Sequence, residues 1–214
     1  MKKFRVFATL IVVALCATTI FTSCRNDDDD DNGNGVFEIR ATNVAGNTGR
    51  IATVRAEIWG ANDRALTVGE APFQNNGFTL RLIDEVPTPF LSPITDLEYE
   101  GTLTISDRNA RMTFVIDCLI LFAYDSNGNA IGYLGLGNER DNEWSWGTWV
   151  YIDRNVTVSG TTNWNDDDWE VVFDLNLRRG WNTIYFHENE NTKRTRFTSQ
   201  RPSGWSLIWE FSAW

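Results

Sequence analysis

Val171-Val172-Phe173-Asp174-Leu175-Asn176-Leu177, closed by Arg178-Arg179-Gly180, is the stretch whose reading decides the fold. Val171, Phe173, Leu175 and Leu177 share one parity, and Val172, Asp174 and Asn176 take the other. A period of two places one set of side chains on each face of a strand, so this pattern predicts a half-buried β-strand ended by a glycine turn. The same alternation recurs upstream in Phe78-Thr79-Leu80-Arg81-Leu82, in Phe37 to Thr42, and in Ala52, Val54, Ala56 and Ile58 set against Thr53, Arg55, Glu57 and Trp59. Gly46-Asn47-Thr48-Gly49 and Asn75-Asn76-Gly77 supply the intervening turns, because Gly and Asn tolerate the backbone angles that turns need.

Further strands are expected at Ala65 to Val68, Leu103 to Ile105, Arg111 to Tyr124, Ala130 to Leu136, Val150 to Asp153 and Val156 to Val158 (as one strand or two), Thr183 to Glu188, Thr195 to Ser199 and Trp205 to Phe211. Arg111 to Tyr124 is apolar on both parities, which predicts a central strand; Asp117 interrupts one face and Cys118 reads as a small buried hydrophobe. Pro87, Pro89 and Pro93 fix φ and remove amide donors, so that segment reads as an ordered extended loop. Ten or eleven short strands and no helix predict an all-β domain. The expected architecture is an antiparallel β-sandwich of about ten strands, with a closed β-barrel as the alternative. One core is the simplest reading for a domain of this length.

The front of the chain has another character. Lys2, Lys3 and Arg5 precede the apolar stretch Val6 to Ile20, and Ser23 places a small residue just before Cys24. Together these read as a bacterial secretory signal, residues 1–23, ending in a lipobox. The stretch is shorter than the ~20 residues a membrane-spanning helix requires. Cys24 becomes the mature N-terminus, alkylated on its thiol by diacylglycerol. Residues 24–35, with Asp27, Asp28, Asp29, Asp30 and Asp31 and then Asn32-Gly33-Asn34-Gly35, form an acidic flexible tether, and residues 36–214 form the single domain.

An aspartate run directly after a lipidated cysteine resembles the export signal of surface-exposed lipoproteins in the Bacteroidetes. Asp153 to Gly160 and Leu177 to Asn182 also resemble segments of such lipoproteins, to which no known activity attaches. The resemblance implies a lipid-anchored protein on the outer face of the outer membrane, attached to the membrane through its acyl chains.

Charge narrows the partners. The whole chain carries 19 basic and 29 acidic residues, and losing Lys2, Lys3 and Arg5 with the signal leaves 16 basic residues and a net charge of −13. Such a surface repels phosphate backbones, so no nucleic-acid partner is expected. With Cys16 removed and Cys24 acylated, Cys118 has no cysteine to pair with.

The sequence contains one histidine, His187, read as a solvent-side strand residue, and neither a Gly-x-Ser-x-Gly elbow, a phosphate loop nor a zinc-ligand set. The chain is therefore expected to be a binding or adhesion module without catalytic residues, metal or cofactor. Asp125, Asn127 and Asn129, like Asp166 to Asp168, offer oxygens that suit calcium, but the first group lacks a distal glutamate and reads as a hairpin turn with Gly128 at positive φ. The 10 tryptophans are the least ordinary feature. Trp144, Trp146, Trp149 and Trp164 are expected in loops at one end of the sandwich, stacking on carbohydrate with Asn163, Asn165 and Asp166 as hydrogen-bond partners. The alternatives are an assembly subunit pairing with another surface protein and a small-molecule-binding barrel.

Overall fold

The computed structural model describes residues 36–60, 64–98, 100–113, 119–164 and 169–214. These hold fifteen strands: β1 Glu38–Ala41, β2 Thr53–Gly60, β3 Arg64–Pro72, β4 Phe78–Arg81, β5 Ser92–Pro93, β6 Glu100–Ile105, β7 Arg111–Met112, β8 Ile120–Tyr124, β9 Ala130–Arg140, β10 Glu143–Ile152, β11 Val156–Trp164, β12 Trp169–Leu177, β13 Gly180–Asn189, β14 Arg194–Thr198 and β15 Ile208–Ala213. Short 3-10 turns are the only helical elements among the described residues. Asp117 and Cys118 lie outside them.

β1 and β4 form a two-stranded antiparallel sheet, and the other 13 strands form one large open sheet whose main path runs from β3 to β6. The architecture is a sandwich, and no barrel closes among the described residues. One pair departs from the antiparallel expectation, since β12 and β14 run parallel with Phe173 opposite Phe197.

The sheet forks at β9. β15 pairs with residues 132–137 of β9 along one edge. β8 takes residues 130–134 and β10 takes residues 136–140, and because both overlap the β15 ladder they must share the opposite edge. A second fork follows on β10, where β9 reaches as far as Gly147 and β7 pairs with Ile152, while β13 holds the other edge throughout.

Forking produces two cores. The first gathers Val54, Ile58, Leu80, Leu121, Leu134, Trp149 and Tyr151 beneath the β1–β4 sheet. The second gathers Val150, Ile152, Val158, Val171, Phe173, Ile184 and Phe197, covered by Ile94, Leu97 and Met112. Trp149 and Tyr151 alternate with Val150 and Ile152 on one strand, so the two cores occupy opposite faces of a single sheet with β10 as their common wall. Each fully buried large apolar side chain in either core contributes about 1.5–3 kcal/mol.

The stretch Trp144-Ser145-Trp146-Gly147-Thr148-Trp149, expected as loop, is strand β10. From Gly147 to Ile152 every residue is buried, and a strand covered on both faces has no polar parity to betray its period. The deciding stretch Val171–Leu177 behaves as expected: Val171, Phe173, Leu175 and Leu177 are buried while Asp174 and Asn176 are exposed.

Candidate functional site

The expected cluster of loop tryptophans divides. Trp149 is 6% exposed, and its ring lies parallel to that of Trp209, 5.7 Å away and 9° from coplanar, so it is a core residue and is corrected as such. Trp146 points to the opposite face, because residues three apart on a strand fall on different sides. Trp144 shares that face with Trp146. Trp164 pairs through its backbone with Trp169 on β12. The ladders align Asn163 through Glu170, Arg194 and Asn189 with Glu143, so Trp164 and Trp144 do share one end of the sheet. Four inter-strand steps lie between them, about 19 Å at the usual spacing. Asn163 is exposed on the far strand, and Asn165 and Asp166 lie outside the described residues.

Trp144 and Trp146 belong instead to a surface that runs along β9. The outward residues of β9 are Tyr133, Gly135, Gly137 and Glu139. The Trp146 ring lies flat over the two glycines, where a Cβ on Gly137 would come within 2.3 Å of its Cε3. Beyond it, Trp144 sits between Glu139 and Glu188 on the neighbouring strands. Burial, and then the nearby Glu190 charge, push the Glu188 carboxyl above its ordinary value.

At the other end of β9 the face is more open. Trp214 is 71% exposed and Tyr133 44%, with ring centroids 6.2 Å apart; Trp214 is tied down by its Nε1 donating to the Ala130 carbonyl at 3.3 Å. Phe122 lies 6.0 Å from Trp214, and Trp59 5.6 Å from Phe122, which carries the aromatic row onto β8 and β2. Polar groups flank it in fixed positions. Arg55 donates to Glu70 at 2.7 Å and stacks its guanidinium 4.3 Å from the Tyr124 ring centre, while the Tyr124 hydroxyl donates to Glu57 at 2.9 Å. Burial and the Glu57 bond hold the Tyr124 phenol above its usual range.

Sequence reasoning missed this row because Trp59, Phe122 and Tyr133 are scattered across three strands and only pairing brings them together. The available signal was parity: Trp214 shares its side of β15 with Ile208, Glu210 and Ser212, which marks the outward face, whereas Trp209 and Phe211 turn inward.

Two other constellations resolve differently. Asp125 accepts the backbone N–H groups of Asn127 and Asn129, both at 2.9 Å, and these bonds, the Asn129 amide first, lower its carboxyl pKa; its oxygens build the hairpin turn at Gly128, φ +81°. His187 is not a free solvent-side residue. Its ring meets the edge of Trp205 at 5.2 Å, its Nε2 stands 4.0 Å from Glu143, and its buried Nδ1 has no partner. Ser145, directly opposite it, is fully buried with an equally unpartnered hydroxyl.

No helix among the described residues is long and apolar enough to cross a membrane. Comparison with known protein families, curated proteins and solved structures finds no match to this chain.

Proposed function

We propose that the chain is a lipid-anchored, surface-displayed binding module without catalytic activity, and that its ligand is a glycan lying along the outer face of β9. The observation that carries this reading is the exposed pair Trp214 and Tyr133, continued by Phe122 and Trp59 on one side and by Trp146 and Trp144 on the other. Contiguous exposed apolar surface rimmed by polar groups marks an interaction site. Aromatic rings offer flat apolar area at little conformational cost, and a sugar presents C–H faces to them and hydroxyls to the rim. Glu57, Glu70, Glu139 and Arg55 stand where such hydroxyls would fall. From Tyr133 to Glu139 the strand advances about 20 Å, enough for an extended oligosaccharide rather than a single ring.

The anchoring half of the proposal rests on Lys2 to Cys24 and on Asp27 to Asp31. Protease shaving of intact cells should degrade the protein. Digestion only after lysis would refute surface display, and replacing the five aspartates by alanine should keep the lipid while turning the protein inward. For the ligand, calorimetry against a panel of neutral oligosaccharides should find a binder whose affinity falls at least about tenfold in Trp214→Ala and in Tyr133→Ala, both folded. Failure of the whole panel, with a second surface protein captured through the same face, would favour an assembly subunit instead.

A further inference from the structure

The proline-rich segment and the ends of β3 and β7 border a half-open cavity of about 400 Å³ lined by Arg64, Thr88, Phe90, Leu91, Ser92 and Arg111. We propose that this cavity binds the carboxylate of an acidic monosaccharide, with Arg64 and Arg111 as its anion-recognising residues.

The first argument is charge. The chain is strongly acidic, and several of its arginines are committed to carboxylates: Arg40 to Glu38, Arg55 to Glu70, Arg108 to Glu98, Arg154 to Asp153, Arg194 to Glu170 and Arg196 to Asp174. Arg64 and Arg111 have no ion pair among the described residues. Asp153 is engaged by the Arg111 backbone N–H at 2.9 Å and by Arg154 at 3.1 Å, and feels the Arg111 charge from beyond ion-pair distance. Two guanidinium groups without an ion pair that line one cavity are a site for an anion brought from outside.

The second argument is the fixing of Arg111. Its Nη2 donates to the Leu91 carbonyl at 2.9 Å, which holds the guanidinium against the cavity wall, while its Nε is buried and lacks an acceptor. A buried donor without a partner is costly, and a small rotation toward an oxygen held in the cavity would relieve it. The planar fork of a guanidinium matches the two coplanar oxygens of a carboxylate.

The third argument is size and lining. The volume is at the small end of ligand sites and suits one sugar ring. Phe90 supplies an apolar wall, Thr88 and Ser92 supply hydroxyls, and Gly60 lets Phe90 close in, since a Cβ there would stand 2.8 Å from its ring. Arg64 pairs with Gly60, which shares its parity with Ile58 and Ala56, so the cavity lies on the first-core side of β2 and β3, away from the aromatic row. The sugar half of the assignment rests on the glycan reading above; the carboxylate half rests on the two arginines alone.

Titration of the full chain with D-glucuronate, D-glucose and D-glucose 6-sulfate tests it. Glucuronate should bind at least about tenfold more tightly than either other probe, and Arg64→Gln and Arg111→Gln should each remove about tenfold or more of that affinity. Arg64 is exposed, so its variant stays folded and keeps the test decisive even if Arg111→Gln does not. Equal affinity for glucose and glucuronate, tighter binding of the sulfate, or undiminished binding by Arg64→Gln would overturn the proposal. Glucuronate binding without any neutral-glycan binding would sink the aromatic face and spare the cavity; the reverse result would sink the cavity alone.

Discussion

β10 and β15 each carry tryptophans of both fates, and the contrast between them is instructive. On β10, Trp149 lies inside the first core while Trp144 and Trp146 stand half-buried on the opposite face; Trp209 of β15 lies inside against Trp149, and Trp214, just past its end, is exposed on the other parity. Nothing in the residue type separates the two fates. Parity does, together with which face of the sheet another layer covers. An indole beneath the β1–β4 sheet is packing, and an indole on the uncovered face of β9 is available to a ligand.

The most severe way to break this contrast is Trp149→Ala. Removing one half of a buried parallel stack should cost about 3–5 kcal/mol, read from urea unfolding, and a change under 1 kcal/mol would show that Trp149 is not core. Gly137→Ala acts from the other face. Its new methyl would collide with the Trp146 ring, and overpacking of this kind costs about 1–3 kcal/mol, with a changed near-ultraviolet dichroism from the displaced indole. Trp214→Ala sharpens the comparison, because the same truncation of an exposed indole should move stability by only about 0.5 kcal/mol while abolishing measurable glycan affinity.

Glu188→Gln is the mildest. The folded protein holds the Glu188 proton more tightly than the unfolded chain does, so the native state loses stability as pH rises from the ordinary carboxylate value through the raised one. The glutamine variant should lack that loss, becoming slightly more stable than the parent at neutral pH and no more stable at pH 3. A pH profile of the melting temperature identical for both proteins would reject the raised value.

Much of the fold was legible because half-buried strands announce themselves. Phe78–Leu82 and Val171–Leu177 alternate, and the structure pairs both as strands. Residues 147–152 did not alternate, being covered on both sides, and a glycine among tryptophans imitates a loop. Two cores were equally hidden, since Trp149-Val150-Tyr151-Ile152 looks like one apolar run until the sheet's faces are known. Of the expected ligand residues, Trp144 and Trp146 lie half-buried on the face of β10 opposite the buried Trp149, because three residues is an odd step on a strand. Trp59, Phe122 and Tyr133 were unreadable as a group, for register across β2, β8 and β9 is a property of pairing rather than of sequence.

The fork at β9 sets an order of assembly. Its N-terminal half is occupied by β8, its C-terminal half by β10, and its remaining edge waits for β15, which is made long after the others. Until that last ladder forms, β9 presents bare amide and carbonyl groups, and the Trp149 ring lacks its Trp209 cover. A chain stalled at that stage would offer both an unpaired edge and a greasy surface to its neighbours. Dependence on a late, distant pairing makes this a slow-folding topology.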